Sequence, residues 1–398
     1  MPDNLKWTDN GPQPGEDDFT PPSRERDSNR NFGPREPGCV GMPDAAQPRH
    51  ARHKPYHGLA TSSAFINGMT PPDYLVDGLV QRGCAYTLTG NTGHCKTLLA
   101  VLAAINVARG GWFLGRQCRK GTVAFFAGEN PDNVRYQFYA MCHLLGVRPD
   151  DLDILWHAGV FSIAGMMDRV KADLAGHPEL ALCIFDSLQA FFTGDDDNAN
   201  VAMLNLAAGF RDLMADHPNK PSGLIIAHPV KRAARDNLLP RGGGALTNEL
   251  DGNFTAWLDA ESGIGELHWQ GKFRGVPFDP IKFEIAVIKP EGLVDADGET
   301  MPITVVKPLG ERREGELRAA ADKADIQILA AIEANPAITE YSLHMDLNIP
   351  RRIVKNSMAS MARDKLFRTF RGNKKRLTLL GKKTLLEHGI QPSEIARQ

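Results

Sequence analysis

A chain of 398 residues with 42% hydrophobic and 24% charged side chains has room for two or three water-facing domains, each with its own core. Its apolar runs fall well short of the roughly 20 residues a bilayer-crossing helix needs, and the polar start Met1–Asn10 is unlike a signal peptide, so a cytoplasmic protein without a membrane partner is expected. Six scattered cysteines with no C-x-x-C pair argue against zinc ribbons and a disulfide framework, and the formal net charge of -2 hides an uneven distribution along the chain.

Residues 1–57 hold ten prolines and almost no apolar periodicity, a composition that cannot bury enough surface to offset chain ordering. A disordered arm is expected there. From about Thr61 short apolar runs alternate with amphipathic segments, the pattern of an α/β core with a mostly parallel sheet covered by helices. Strands are expected at Cys84–Gly90, Thr122–Gly128, Ile154–His157, Leu180–Asp186 and Gly223–His228, with helices at Lys96–Arg109, Asp132–Leu145, Met166–Gly176 and Val201–Asp216. Phe254–Asp259, Glu266–Phe273 and Ile281–Ile288 read as antiparallel strands extending the sheet, which gives a domain over residues 58–290.

Residues 291–323 read as a charged connector that ends in the helical stretch Gly315–Lys323. Helix-like segments then follow near Asp325–Ala334, Thr339–Leu347 and Arg351–Lys365, with strands at Leu366–Phe370 and Arg376–Leu380. That order is the order of a winged helix, expected over residues 324–390.

The strongest motif is Gly90-Asn91-Thr92-Gly93-His94-Cys95-Lys96-Thr97, lying between an apolar strand and a helix. Glycines let backbone N–H groups turn toward an anion, and the helix N-terminus adds partial positive charge, so the octapeptide reads as a loop binding ATP phosphates. Lys96 would reach the β- and γ-phosphates and Thr97 would hold Mg2+. Cys95 stands where glycine is usual, and a side chain there can crowd the phosphates.

Asp186 closes the apolar strand Leu180–Asp186 and faces the crevice at the carboxyl end of a parallel sheet, where it can serve Mg2+; a strand-ending aspartate can also simply cap. Glu129 ends its own strand, which the expected sheet order sets beside the phosphate-loop strand. That makes it the candidate general base, with helix capping as the plainer role. His228 follows the strand Gly223–Ala227 and can sense a γ-phosphate. Arg241, in the loop Leu239-Pro240-Arg241-Gly242-Gly243-Gly244, is the candidate arginine finger or else a surface arginine beside a turn.

With these residues in place, residues 64–288 resemble the RecA-superfamily ATPases that include RepA-type hexameric plasmid helicases and their phage relatives. The strings Ala127-Gly128-Glu129-Asn130-Pro131, Asn248-Glu249-Leu250-Asp251-Gly252-Asn253 and His268-Trp269-Gln270-Gly271-Lys272-Phe273-Arg274-Gly275 carry the resemblance along with the phosphate loop. It implies a homo-oligomeric, hexameric ring with ATP between subunits. It also implies Glu129 as catalytic glutamate, His228 as sensor, and Arg241 as a finger acting across the subunit interface.

Twelve basic residues against one acid lie between Arg351 and Lys383, an electrostatic footprint for DNA phosphates. Arg351, Arg352 and Lys355 would sit on the recognition helix, and Lys374, Lys375 and Arg376 at the wing; a solvated helical face is the plainer reading. Two functions stay open on the sequence: an ATP-driven helicase or DNA-remodelling motor in replication or recombination of a mobile element, and an ATP-switched winged-helix regulator without strand separation.

Overall fold

The computed structural model describes residues 58–192, 200–241 and 243–392. The disordered arm expected over residues 1–57 lies outside them. The chain divides into two units at Met69/Thr70. The described part of the first carries α1 (Ser62–Asn67), capped by Thr61 Oγ1 accepting from the Ala64 N–H and burying none of its residues.

The second unit opens with the short antiparallel pair β1 (Tyr74–Val76) and β2 (Val80–Gln81). Next come β3 (Ala85–Thr89), α2 (Lys96–Arg109), the ribbon β4 (Trp112–Phe113) and β5 (Arg116–Gln117), β6 (Thr122–Ala127) and α3 (Pro131–Leu145). The core continues with β7 (Ile154–Ala158), α4 (Ile163–Ala175), β8 (Leu180–Asp186), α5 (Leu188–Phe191), α6 (Asn200–Asp216), β9 (Ser222–Ala227) and α7 (Gly243–Glu249). Four further strands complete it: β10 (Gly252–Asp259), β11 (Ile264–Phe273), β12 (Ile281–Ile288) and β13 (Ile303–Pro308).

Nine of these strands form one sheet in the order β13-β12-β11-β10-β3-β9-β8-β6-β7. All six residues of β6 are buried, and they alternate between two cores: Val123, Phe125 and Ala127 on the face covered by α2 and α3, Ala124 and Phe126 on the face covered by α4, α6 and α7. Period-two alternation with both faces apolar is what a strand sandwiched between helix layers requires. Each phenylalanine so buried contributes roughly 1.5 to 3 kcal/mol.

Three expectations are corrected by this topology. The Thr122–Gly128 strand does not border the phosphate-loop strand; β9 and β8 intervene, because the chain crosses outward to β6 and β7 and then fills the gap. Phe254–Asp259 does not run antiparallel to the core, since β10 pairs parallel with β3 and turns antiparallel only toward β11. Residues 291–323 are not a free connector. β13 closes the sheet against β12 with Val305 and Val306 buried, and α8 (Glu311–Ala334) runs 24 residues without a break across the expected boundary at 323/324.

Behind α8 come α9 (Glu340–Leu347), α10 (Arg351–Arg363), the antiparallel pair β14 (Phe367–Thr369) and β15 (Lys375–Leu377), and α11 (Leu379–Glu387). Ile328, Leu329, Leu343, Val354, Met361 and Leu385 share a separate small core. The last expected strand, Arg376–Leu380, stops at Leu377, where Thr378 Oγ1 accepts from the Gly381 N–H and caps α11.

Candidate functional site

The loop from Gly90 to Thr97 leaves β3 at its carboxyl end and feeds α2. A Cβ on Gly90 would lie 2.5 Å from the carbonyl oxygen of Ala256 on β10, so the close approach of the neighbouring strand admits no side chain. Gly93 takes φ +81°, and Cys95 also sits in the left-handed region at φ 62° as the N-cap of α2. That conformation explains why glycine is usual at position 95: a non-glycine residue there costs about 1 kcal/mol or more. The Cys95 thiol packs against the main core, and burial pushes it up to about 11, so it is a neutral thiol.

Lys96 is buried, and its ammonium donates to the carbonyls of Gly90 (2.9 Å) and Asn91 (3.1 Å). Desolvation lowers its pKa, while Asp186 and Glu129 work the other way. His94 accepts the Leu258 N–H at Nδ1 (3.2 Å) and meets the edge of Trp257 at 4.7 Å, which fixes the loop against β10. Burial and then the Lys96 charge hold its imidazole neutral.

Asp186 is buried at the tip of β8, where it accepts the Thr97 hydroxyl at 2.8 Å through Oδ2. Its backbone carbonyl takes the N–H groups of Gly128 (2.7 Å) and Glu129 (3.2 Å), so pairing of β6 with β8, rather than with β3, brings Glu129 to the site. Desolvation pushes the Asp186 carboxyl up to about 6, with Glu129 adding to the shift and Thr97 and Lys96 opposing it.

Across the mouth, His228 Nε2 stands 3.8 Å from Glu129 Oε1. Burial, Lys96 and Arg241 lower the imidazole pKa against the pull of Glu129, so the contact joins a carboxylate to a neutral ring. The Arg241 N–H donates to the carbonyl of His228 at 2.8 Å, and Pro229 bridges Pro240, which closes residues 229–241 into a loop with its two ends together. Arg241 is thus anchored beside the histidine of its own chain, and it is absent from the lining of the cavity.

These groups surround an open cavity of about 740 Å³. Thr92, Gly93, His94, Cys95, Lys96, Thr97, Glu129, Asp186 and His228 all line it, while Gly90 and Asn91 support it from below. The sequence reading missed Asn133 and Gln137 on α3, Leu258 on β10, Ile285 on β12 and Thr304 on β13. Asn133 and Gln137 lie four apart on a helix, a spacing the sequence does carry. The strand residues had no local signal, because only the sheet order brings β12 and β13 to the cleft.

The tail residues divide by what they touch. Arg351 and Lys355 are exposed on α10, opposite the buried Val354 and Met358. The side chain of Arg352 lies outside the described part. Lys374 is exposed, and Arg376 lies 5.7 Å over the Phe370 ring. Lys375 is turned inward, donating to the carbonyls of Ile338 (2.8 Å) and Asn373 (3.4 Å), so its ammonium belongs to the packing of the hairpin and not to the exposed basic surface expected of it.

Comparison with known proteins agrees with this geometry. Residues 49–234 match the family model described as an AAA domain. The chain carries a P-loop ATPase domain of the RecA superfamily, similar to the ATPases of phage and plasmid helicases. One solved structure it is similar to is the ATPase domain of a helicase, at 10% identity and a TM-score of 0.42, covering 56% of this chain and 91% of that one. No curated protein matches. Among the described residues no helix is long and apolar enough to cross a membrane.

Proposed function

We propose that the chain is a DNA-stimulated ATPase that works as a ring of identical subunits, with residues 324–390 acting as a winged-helix DNA-binding domain. The observation that carries this reading is the convergence of Lys96, Asp186, Glu129 and His228 from four different elements on one open cleft.

The chemistry follows from those positions. A triphosphate laid along residues 90–97 meets loop amides and the N-terminus of α2, and Lys96 exchanges its two loop carbonyls for phosphate oxygens. Thr97 and Asp186 offer adjacent hard oxygens, a donor pair that fits Mg2+; among the described residues no cluster of three or more His, Cys, Asp or Glu offers a richer site. Bound there, the ion would offset charge on the phosphates.

Glu129 is more than half exposed and holds no short hydrogen bond, so its carboxylate is free to take a proton from an attacking water. His228, neutral and beside it, can donate to the terminal phosphate and release it after cleavage. The finger role of Arg241 belongs to the ring: supplied from a neighbouring subunit, it would stabilise the charge of the transferring group.

The test is ATP turnover of the native chain and of Lys96→Ala, each with and without single-stranded DNA, together with light scattering in ATP. Turnover that DNA raises several-fold, that Lys96→Ala abolishes, and that accompanies hexamers is the expected result. Turnover untouched by Lys96→Ala would overturn the catalytic assignment. Turnover indifferent to single-stranded DNA, with a footprint on one duplex sequence, would replace the motor with an ATP-switched regulator.

A further inference from the structure

Two buried side-chain amides tie the phosphate-loop strand to the loop that follows His228. We infer that Asn253 and Gln270 are positioning residues that transmit occupancy of the phosphate loop to residues 229–241, a route separate from His228; the inference rests on ATP binding at Gly90 to Thr97.

The route can be followed atom by atom. Thr87 and Thr89 are two apart on β3, so both hydroxyls point to the same side, and both donate to Asn253 Oδ1 at 2.7 Å. Asn253 is fully buried, and its Nδ2 donates to the Leu238 carbonyl at 3.0 Å. The amide cannot be reversed, because Oδ1 would then face that carbonyl oxygen. Gln270 completes the grip: Oε1 accepts the Leu238 N–H and Nε2 donates to the Arg235 carbonyl, each at 2.6 Å. Both polar groups of the buried residue Leu238 are therefore held by side chains and not by a strand partner.

At one end of this chain of bonds, Thr89 immediately precedes Gly90, whose carbonyl accepts from Lys96. A triphosphate drawing the ammonium away changes the partners of the residue next to Thr89. At the other end, residues 229–241 carry exposed Lys231 and Arg232, and Arg235 paired with Glu266, a cationic set suited to nucleic-acid phosphates. Buried polar networks of this kind have few alternative arrangements, since each unmade bond leaves a desolvated group. A shift at Thr89 is therefore passed on and not absorbed.

Amide hydrogen exchange on the full chain, with and without the magnesium complex of a non-hydrolysable ATP analogue, tests the inference. In the native chain the analogue should protect residues 90–97 and change exchange across residues 230–241. In Gln270→Ala, protection of 90–97 should persist while the response at 230–241 disappears, with basal turnover within two-fold and DNA stimulation reduced about ten-fold. Gln270→Glu keeps the acceptor for Leu238 and should recover part of the response.

A native-like response at 230–241 in Gln270→Ala overturns the inference. If that variant melts before measurement, Thr89→Val, which keeps the side-chain shape and removes one hydroxyl, is read by the same two criteria. Absence of protection at 90–97 in the native chain would instead remove the ATP site beneath it, an outcome separate from failure of the coupling.

Discussion

Thr97 donates its hydroxyl to the buried carboxylate of Asp186 across 2.8 Å, joining the first turn of α2 to the tip of β8. The bond holds the two oxygens together while the carboxylate bears a desolvation cost that raises its pKa to about 6. The site thus keeps a charge the fold would prefer neutral.

That conflict has a sign. The folded value of about 6 lies above the ordinary aspartate value of 3.8, so the folded state binds the extra proton between them. Stability contributed by the neutral form is present at low pH and is lost as pH rises through about 6. Asp186→Asn, which keeps an acceptor for Thr97, should melt several degrees above the native chain at pH 7.5, with the gap closing toward pH 4. Native turnover should fall on the acid side with an apparent pKa near 6. A gap equal at both pH values would refute the assignment.

Cys95→Gly sets two terms against each other. Relief of the left-handed conformation is worth roughly 1 to 2 kcal/mol, while glycine loosens the unfolded chain by about 0.4 to 1 kcal/mol. A net gain of up to about 1 kcal/mol in urea unfolding is expected. Faster ATP turnover should accompany it if the side chain at 95 crowds the phosphates.

Glu129→Gln should lower kcat by about 10² to 10⁴-fold, the range for loss of a positioned base. The Kd for a fluorescent ATP analogue should change less than three-fold, because Glu129 touches no loop atom that holds phosphate. Its exposure also predicts an unchanged melting temperature. A capping role alone would give the reverse: altered stability with turnover intact.

For the tail, the prediction separates neighbours in sequence. Replacing Arg351, Lys355, Lys374 and Arg376 with alanine should weaken DNA binding and flatten the salt dependence, by about 0.9 in log–log slope for each phosphate no longer neutralised. Lys375→Ala should leave that slope alone and lower stability, since its ammonium serves Ile338 and Asn373. Equal slope changes for Lys374→Ala and Lys375→Ala would reject the distinction.

The parts of this architecture written locally were legible in the sequence. The phosphate loop, the strands ending at Asp186 and Ala227 and the helices α2 and α3 follow from glycine placement, apolar runs and 3.6-residue periodicity. What local pattern could not carry was strand order: Glu129 reaches the cleft through β8, and no property of Phe125 or Phe126 reveals which strand lies alongside. β13 escaped notice because Pro302 precedes it and Pro308 ends it, marks that read as connector. Lys375 looked like Lys374 on the sequence, and only the placement of the Ile338 carbonyl separates them.

The unbroken run of α8 has a mechanical meaning. At about 1.5 Å per residue its 24 residues make a strut of roughly 36 Å, with Arg312 pairing Glu316 along its exposed first half. A coil of the same length would let the final segments diffuse about their attachment point. A rod instead converts tilting of the edge strand β13 into a swing of the distal helices, so leverage takes the place of tethering.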